Sequence, residues 1–220
     1  MVGIVQPMII PVNNHGFDVV TYEGTNIAGL QIPHSLAKTP EMIWTKNRDA
    51  TEHWSVYHKG LNGGTNPEQY ALRLDTTAAE IDADGWWNDT APTATAFTVG
   101  NSGNTNGFEM SMIAMLFASV DGISKVGSYT GNGTSQTITT GFQPRFLLIK
   151  KYSTSGPARG WFVLDTTRGW GSGNDNYIEI NSNAAQLSHD FGAPTSTGFT
   201  ITSGDGYNGS GAGYLYYAHA

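Results

Sequence analysis

Apolar and polar positions alternate along this chain in short runs, and clusters of Gly, Asn, Ser, Thr and Asp separate the runs. Phe17-Asp18-Val19-Val20-Thr21-Tyr22 is rich in β-branched and aromatic residues and predicts a strand. Glu41 to Lys46 follows Pro40 and is too short and too closely bracketed by turn residues for a helix, so it reads as a strand. His53 to His58 sets Trp54, Val56 and His58 against Ser55 and Tyr57, and Tyr70 to Leu74 alternates as well; both fit half-buried strands. By composition, His58 to Pro67 is a loop, and a second loop, Asp82 to Thr95, carries Trp86 and Trp87. Phe108 to Val120 admits two periods. Met110, Met112 and Ala114 alternate, whereas Met112, Met115, Leu116 and Ser119 would line a helix. Its counterpart Gly213 to Ala220 is short, Gly-preceded and Tyr-rich, which decides for a strand in both places.

That counterpart exists because the chain repeats itself. Thr21 to Trp54 and Ser128 to Trp161 carry the same order of features: a Tyr-x-Gly, a polar turn, a short alternating stretch, then Pro, an apolar run, Lys and Trp. Pro40 answers Pro144 and Lys46 answers Lys150, both at a spacing of 104. The match runs on through Leu72-Arg73-Leu74-Asp75 with Ile178-Glu179-Ile180-Asn181, Phe97-Thr98-Val99 with Phe199-Thr200-Ile201, and Asn106-Gly107 with Asn208-Gly209. A period of roughly a hundred residues is far longer than a solenoid unit, so each copy has the length of a small domain with its own core. The expected division is a leading extended segment at 1–16, one repeat at 17–120 and a second at 121–220. Asp121-Gly122 would make the hairpin turn at the boundary. The leading segment, broken by Pro7 and Pro11, reads either as a first strand or as the stub of a longer polypeptide. About seven short strands per copy and hardly any helix predict an all-β chain of two tandem, jelly-roll-like antiparallel β-sandwich domains.

Composition narrows the function classes. The chain has 220 residues, of which 39% are hydrophobic and 13% charged, enough apolar surface for a real core. Its 28 Gly exceed ordinary usage and supply turns for many strands. The net charge of −7 lies mostly in the first copy, and neither half has the basic surface that nucleic acid requires. The absence of cysteine excludes disulfides and thiolate metal sites and leaves the compartment open. No stretch reaches the roughly 18 apolar residues of a membrane span, and no signal peptide is expected from the proline-broken, acid- and base-free start. Asn-x-Ser/Thr triplets at Asn88, Asn132 and Asn208 then read as turns.

The run Gly122-Ile-Ser-Lys-Val-Gly-Ser-Tyr-Thr-Gly-Asn-Gly, then Gly141-Phe-x-Pro-x-Phe-x-x-x-Lys, the Trp-x-x-x-Asp of Trp161 to Asp165, and Asn208-Gly209 before a terminal aromatic strand resemble a repeat of tail or fibre proteins of marine bacteriophages. The resemblance covers nearly all of the chain. The first copy departs from it at Glu23-Gly24-Thr25-Asn26 and at His58, which stands in place of Asp165. What the resemblance implies is a virion appendage exposed outside the host cell during attachment, a homo-oligomer with a trimer as the first guess, and other virion proteins as partners. No membrane insertion and no nucleic acid are implied.

Candidate binding residues lie in the loops. Trp86, Trp87, Asn88 and Asp89 in DADGWWND, Trp170, Asn174 and Asp175 in TRGWGSGND, and Tyr207 and Asn208 in GDGYNGSG set aromatic rings among amides and carboxylates. A ring that stacks on a sugar face beside acceptors for its hydroxyls is what a host-surface polysaccharide needs. Contact with a partner subunit and local packing are open alternatives for the same rings. Trp54 and Trp161 are expected in the two cores, and Lys46 and Lys150 are expected to leave their strands into water. No catalytic residue, cofactor or metal is expected. His-Glu-x-x-His, Gly-x-Ser-x-Gly and phosphate loops are missing, His53 and His58 would point to opposite faces, and Asp82-Ala83-Asp84-Gly85 lacks the spacing of a calcium loop. Adhesion through a glycan is therefore the expected work, with a purely structural virion part as the alternative.

Overall fold

A computed structural model describes residues 16–220, so residues 1–15 of the expected leading segment lie outside the described residues. The protein is mostly β, with antiparallel pairing in every sheet. It divides into two compact units. The first holds the described residues up to Arg73 together with Ile81–Ala118, and the second holds Leu74–Glu80 and Ser119–Ala220. The strap Leu74–Glu80, midway along the first repeat, is thus part of the second unit, which no pattern in the sequence announces.

The first unit contains β1 (Phe17–Glu23), β2 (Leu30–Pro33), β3 (Met42–Asn47), β4 (Ser55–His58), β5 (Tyr70–Arg73), β6 (Ile81–Asp82), β7 (Ala96–Val99) and β8 (Ser111–Phe117). Six of them form a sheet in the order β1-β8-β3-β4-β5-β6, and β2 pairs with β7. Alternation decides which face is buried: Val20 and Tyr22 of β1 and Met112, Ala114 and Leu116 of β8 point into the core. There they meet Ile32, Phe97 and Val99 of the small sheet and Trp86 and Trp87 of α1 (Asp84–Trp87). A second helical turn, α2 (Gly103–Asn106), starts at Ser102, whose hydroxyl accepts the Asn104 N–H.

The second unit contains β9 (Ser124–Thr130), β10 (Gln136–Thr139), β11 (Phe146–Lys151), β12 (Trp161–Asp165), β13 (Asp175–Glu179), β14 (Leu187–His189), β15 (Pro194–Thr195), β16 (Gly198–Ile201) and β17 (Gly213–His219). Its large sheet runs β9-β17-β11-β12-β13-β14, and β10-β16-β15 forms the small one. The large sheet repeats the order of the first unit strand for strand, and the small one adds β15. The core gathers Leu147, Ile149, Leu164, Tyr214 and Tyr216 from the large sheet and Phe199 and Ile201 from the small one.

One set of bonds recurs in both units and accounts for the repeated Tyr-x-Gly and Asn-Gly. The Tyr22 phenol donates to the Thr105 carbonyl at 2.6 Å, and the Tyr129 phenol donates to that of Tyr207. Asn106 accepts the Thr25 N–H at 2.7 Å and donates to the carbonyls of Ile27, at 3.0 Å, and Gly100. Asn208 likewise accepts the Asn132 N–H at 3.1 Å and donates to the carbonyls of Thr134 and, at 2.9 Å, Thr202. Both side chains are wholly buried, and only an amide supplies an acceptor and two donors on so short a stem. Gly24 and Gly131 let the backbones close: a Cβ would stand 2.1 Å from the Gly107 oxygen in one case and 2.2 Å from that of Gly209 in the other.

Four expectations need correction. The expected Asp82 to Thr95 loop contains the helical turn α1, because Trp86 and Trp87 fold back into the core. Asp121-Gly122 does turn, with Gly122 at a φ of 73° and a bridge from Val120 to Ser124, yet it closes no hairpin, since β9 pairs with β17. Neither tryptophan joins its core: Trp161 opens β12 and is 2% exposed but points to the face away from the core residues Phe162 and Leu164, and Trp54 precedes β4 and is only half-buried. Neither Lys46 nor Lys150 runs out into water. Lys46 Nζ donates to the carbonyls of Ala50 and Glu52 at 3.1 and 2.6 Å, and Lys150, 0% exposed, donates to those of Thr77 and Arg159. Thr77 belongs to the strap, which the first unit has no counterpart for, and Lys150 stands directly opposite Trp161 in the ladder.

Candidate functional site

Most of the residues singled out from the sequence are buried. Trp86, Trp87 and Trp170 are 7%, 2% and 3% exposed, and their rings pack in the two cores. The Trp170 indole donates to the Gly192 carbonyl at 3.0 Å. Asp175 accepts the N–H groups of Gly171 and Phe191 at 2.8 and 2.9 Å, and Asn208 serves the lock described above. None of these five can face a sugar as they stand, because composition marked their segments as loops while tertiary packing drew the side chains inward. Asn88 and Asp89 hold left-handed turns, at φ of 54° and 46°, and Asn174 is exposed in a turn of its own. Tyr207 is just as buried, at 3% exposed, but it stands at the edge of a cavity.

That cavity lies in the second unit and measures ≈ 370 Å³, at the lower end of the roughly 300–1,000 Å³ of small-ligand sites. Phe162, Tyr177, Phe191 and Tyr207 form its apolar wall, and Arg159, Glu179 and His189 its polar one. Strand alternation sets the floor. Trp161 points to one face of β12 and Phe162 to the other, and Phe162 stands opposite Glu179 in the β12–β13 ladder while Leu164 stands opposite Tyr177. The rings brace one another: Phe162 and Tyr177 are 5.7 Å apart, Tyr177 and Phe191 5.0 Å, and Phe191 and Tyr207 4.3 Å. Tyr207 Oη lies 2.7 Å from His189 Nε2 and 3.0 Å from the Asp190 carbonyl, so the hydroxyl is fixed from two sides. Two glycines keep the space open. A Cβ at Gly160 would stand 2.3 Å from Glu179 Oε2, and one at Gly206 would stand 3.4 Å from Phe162 Cζ.

Charge is concentrated where β11 leads into β12. Burial pushes the Lys150 ammonium down to about 7, with the Glu179 carboxylate opposing that shift and Lys151 adding to it. Burial lowers Lys151 too, helped by the nearby Arg159 guanidinium. Burial raises the Tyr177 phenol, and Glu179 raises it further. Among the described residues no group of His, Asp and Glu is arranged to hold a metal ion.

The corresponding positions of the first unit carry different side chains, as the ladders show. The positions of Phe162 and Glu179 are taken by Ser55 and Arg73, and by extension of the same register that of Tyr177 is taken by Ala71. Thr105 stands where Tyr207 does. Trp86 lies beside two of these residues: Thr105 Oγ1 donates to its carbonyl at 3.0 Å and the Arg73 guanidinium lies 5.8 Å from its ring. Sequence reading missed Arg159, Phe162, Tyr177, Glu179 and His189. A signal was present in the places where the two copies disagree in size, such as Ser55 against Phe162.

Fold and site together define an all-β chain of two units, the second of which carries an open aromatic cavity edged with charge. The chain belongs to the family described as Domain of unknown function (DUF7483), whose match spans residues 2–220. No curated protein and no solved structure matches it.

Proposed function

We propose that this protein is part of a phage virion appendage and that the cavity of its second unit holds a saccharide of the host surface. The observation that carries the reading is the pairing of an aromatic wall with polar groups around one space: the half-exposed Tyr177, backed by the buried Phe162 and Tyr207, offers an apolar face, and Glu179, His189 and Arg159 offer acceptors and donors for hydroxyls. The virion assignment rests on the resemblance of the repeat. Two copies of one ancestral unit account for the shared strand order and the shared Asn-centred bonds. A single site of this size is weak, and a homo-oligomer, a trimer on the resemblance, would gain through effective concentration.

The test is a glycan array probed with the full chain and with Tyr177→Ala. Binding by the first and a tenfold or greater loss in the second, with the fold retained by circular dichroism, is the expected result. No binding by the assembled chain above background overturns the reading. A purely structural role has one observation in its favour, the exposure of Ile27 and Phe108 at 69% and 62% in the first unit. Ile27→Ser/Phe108→Ser would then block particle assembly while saccharide binding is absent throughout.

A further inference from the structure

We infer that the cavity of the second unit selects a sugar bearing a carboxylate, and that Arg159 reads that group; the inference rests on the saccharide reading above. Arg159 enters the cavity from the connection between β11 and β12, where its Nε is shut off from solvent and has no hydrogen-bond partner. The arginine is held there by packing: a Cβ at Gly206 would meet its Cδ and Nε at 3.6 Å and Phe162 Cζ at 3.4 Å.

The neighbouring cations are placed differently. Lys150 donates to the carbonyls of Thr77 and Arg159, and Lys151 donates to that of Pro157 at 3.2 Å, so both spend their N–H groups on closing the connection. An amine in such a place can also shed its proton. A guanidinium cannot, and its planar fork matches a carboxylate with two parallel bonds. The one acid lining the cavity does not neutralise it, since no ion pair joins Glu179 to Arg159 and the Glu179 Oε2 contact is with Asn181 Nδ2, at 3.4 Å. A ring carboxylate laid against the part of Arg159 that lines the cavity pairs with its guanidinium, the ring itself meets the aromatic wall, and Glu179, opposite Phe162 in the ladder, accepts hydroxyls while repelling a second anion.

The experiment uses the full chain with tetragalacturonate, tetramannuronate and their carboxyl-reduced counterparts, titrated by calorimetry alongside a panel of neutral tetrasaccharides. At least one uronate should bind tenfold or more tightly than its reduced form. Arg159→Gln should erase that preference without moving the melting temperature, and added salt should weaken only the uronate. Equal binding of acidic and reduced forms overturns the carboxylate inference and leaves the saccharide site standing. A preference that survives Arg159→Gln overturns the role of Arg159. Silence of every saccharide overturns both the inference and the reading it rests on.

Discussion

The side-chain oxygen of Asn106 accepts the backbone N–H of Thr25, 81 positions away, at 2.7 Å, and Asn208 repeats the bond with Asn132 at 3.1 Å. Each amide also donates to two carbonyls, so one side chain satisfies three backbone groups. Truncation strands all three. With roughly 1–3 kcal/mol for each buried group left unpaired, Asn106→Ala and Asn208→Ala should each cost about 3 kcal/mol or more. Asn106→Asp should do no better, because a carboxylate keeps the acceptor but puts one oxygen, facing two carbonyl oxygens, where the donating NH2 stood. Urea denaturation followed by tryptophan fluorescence measures this, and a loss below ~1 kcal/mol for both alanine variants would refute the role given to the amides.

Gly24 and Gly131 make a separate prediction, because their constraint is steric. A methyl at either would lie about as close to a backbone oxygen as a covalent geometry allows, at 2.1 and 2.2 Å, and that oxygen cannot swing away. Gly122 is the control: it has a φ of +73° and nothing within 4 Å of its Cβ position. Gly122→Ala should cost ~1 kcal/mol from backbone strain, and Gly24→Ala and Gly131→Ala should cost at least twice as much. Equal losses at the three positions would show that strain in the turns, and not close approach, governs these glycines.

Such residues also show how much of the molecule could be read from the chain. Ser111–Phe117 was legible as a strand because Met112, Ala114 and Leu116 alternate and its counterpart excluded a helix. The repeat pointed at Gly24 and Asn106 through their spacing alone. The site was harder. Trp86 and Trp170 sit among Gly, Asp and Asn, a composition that marks an exposed loop, and long-range packing against Thr105 and Phe199 buries them regardless. The cavity joins Arg159, Glu179 and His189 from three separate connections and strands, and local pattern carries no trace of that meeting. The strap was equally hidden, since a segment that leaves one unit to serve another has ordinary loop composition.

Lys150 ties the strap to pH. Its folded-state value of about 7 lies below the ordinary lysine range, so between the two the unfolded chain holds a proton that the folded one has lost. Stability from this group therefore rises with pH across that window, and below about 7 both states are protonated and the whole cost of burying the ammonium is carried. A neutral amine has two N–H groups, enough for the carbonyls of Thr77 and Arg159. In Lys150→Met the dependence disappears. The difference in unfolding free energy between wild type and variant, measured at pH 6, 7, 8 and 9, should be flat at first and then shift in favour of the wild type by up to ~1.4 kcal/mol per pH unit. Buried phenols such as Tyr217, raised to about 12 by burial, are common to both proteins and drop out of the comparison. A constant difference from pH 6 to 9 would mean that Lys150 keeps its proton throughout.

Gly160 allows the geometry of the cavity wall to be tested without any ligand. A methyl there would stand 2.3 Å from Glu179 Oε2 and 2.6 Å from Asn181 Oδ1, both at the ends of side chains that can move. Moving Asn181 has its own consequence, for its Oδ1 accepts the Trp161 N–H at 2.7 Å. Gly160→Ala should thus cost about 1–2 kcal/mol while the fold persists. If the clash with the carboxylate dominates, Glu179→Ala should relieve most of that loss in the double variant, giving a coupling of at least ~0.5 kcal/mol; purely additive effects would place the Glu179 side chain away from Gly160. The same pair reports on function, because Gly160→Ala displaces the acceptor from the cavity and should weaken saccharide binding by about the same factor as Glu179→Ala, whereas the double variant should be no weaker than either alone.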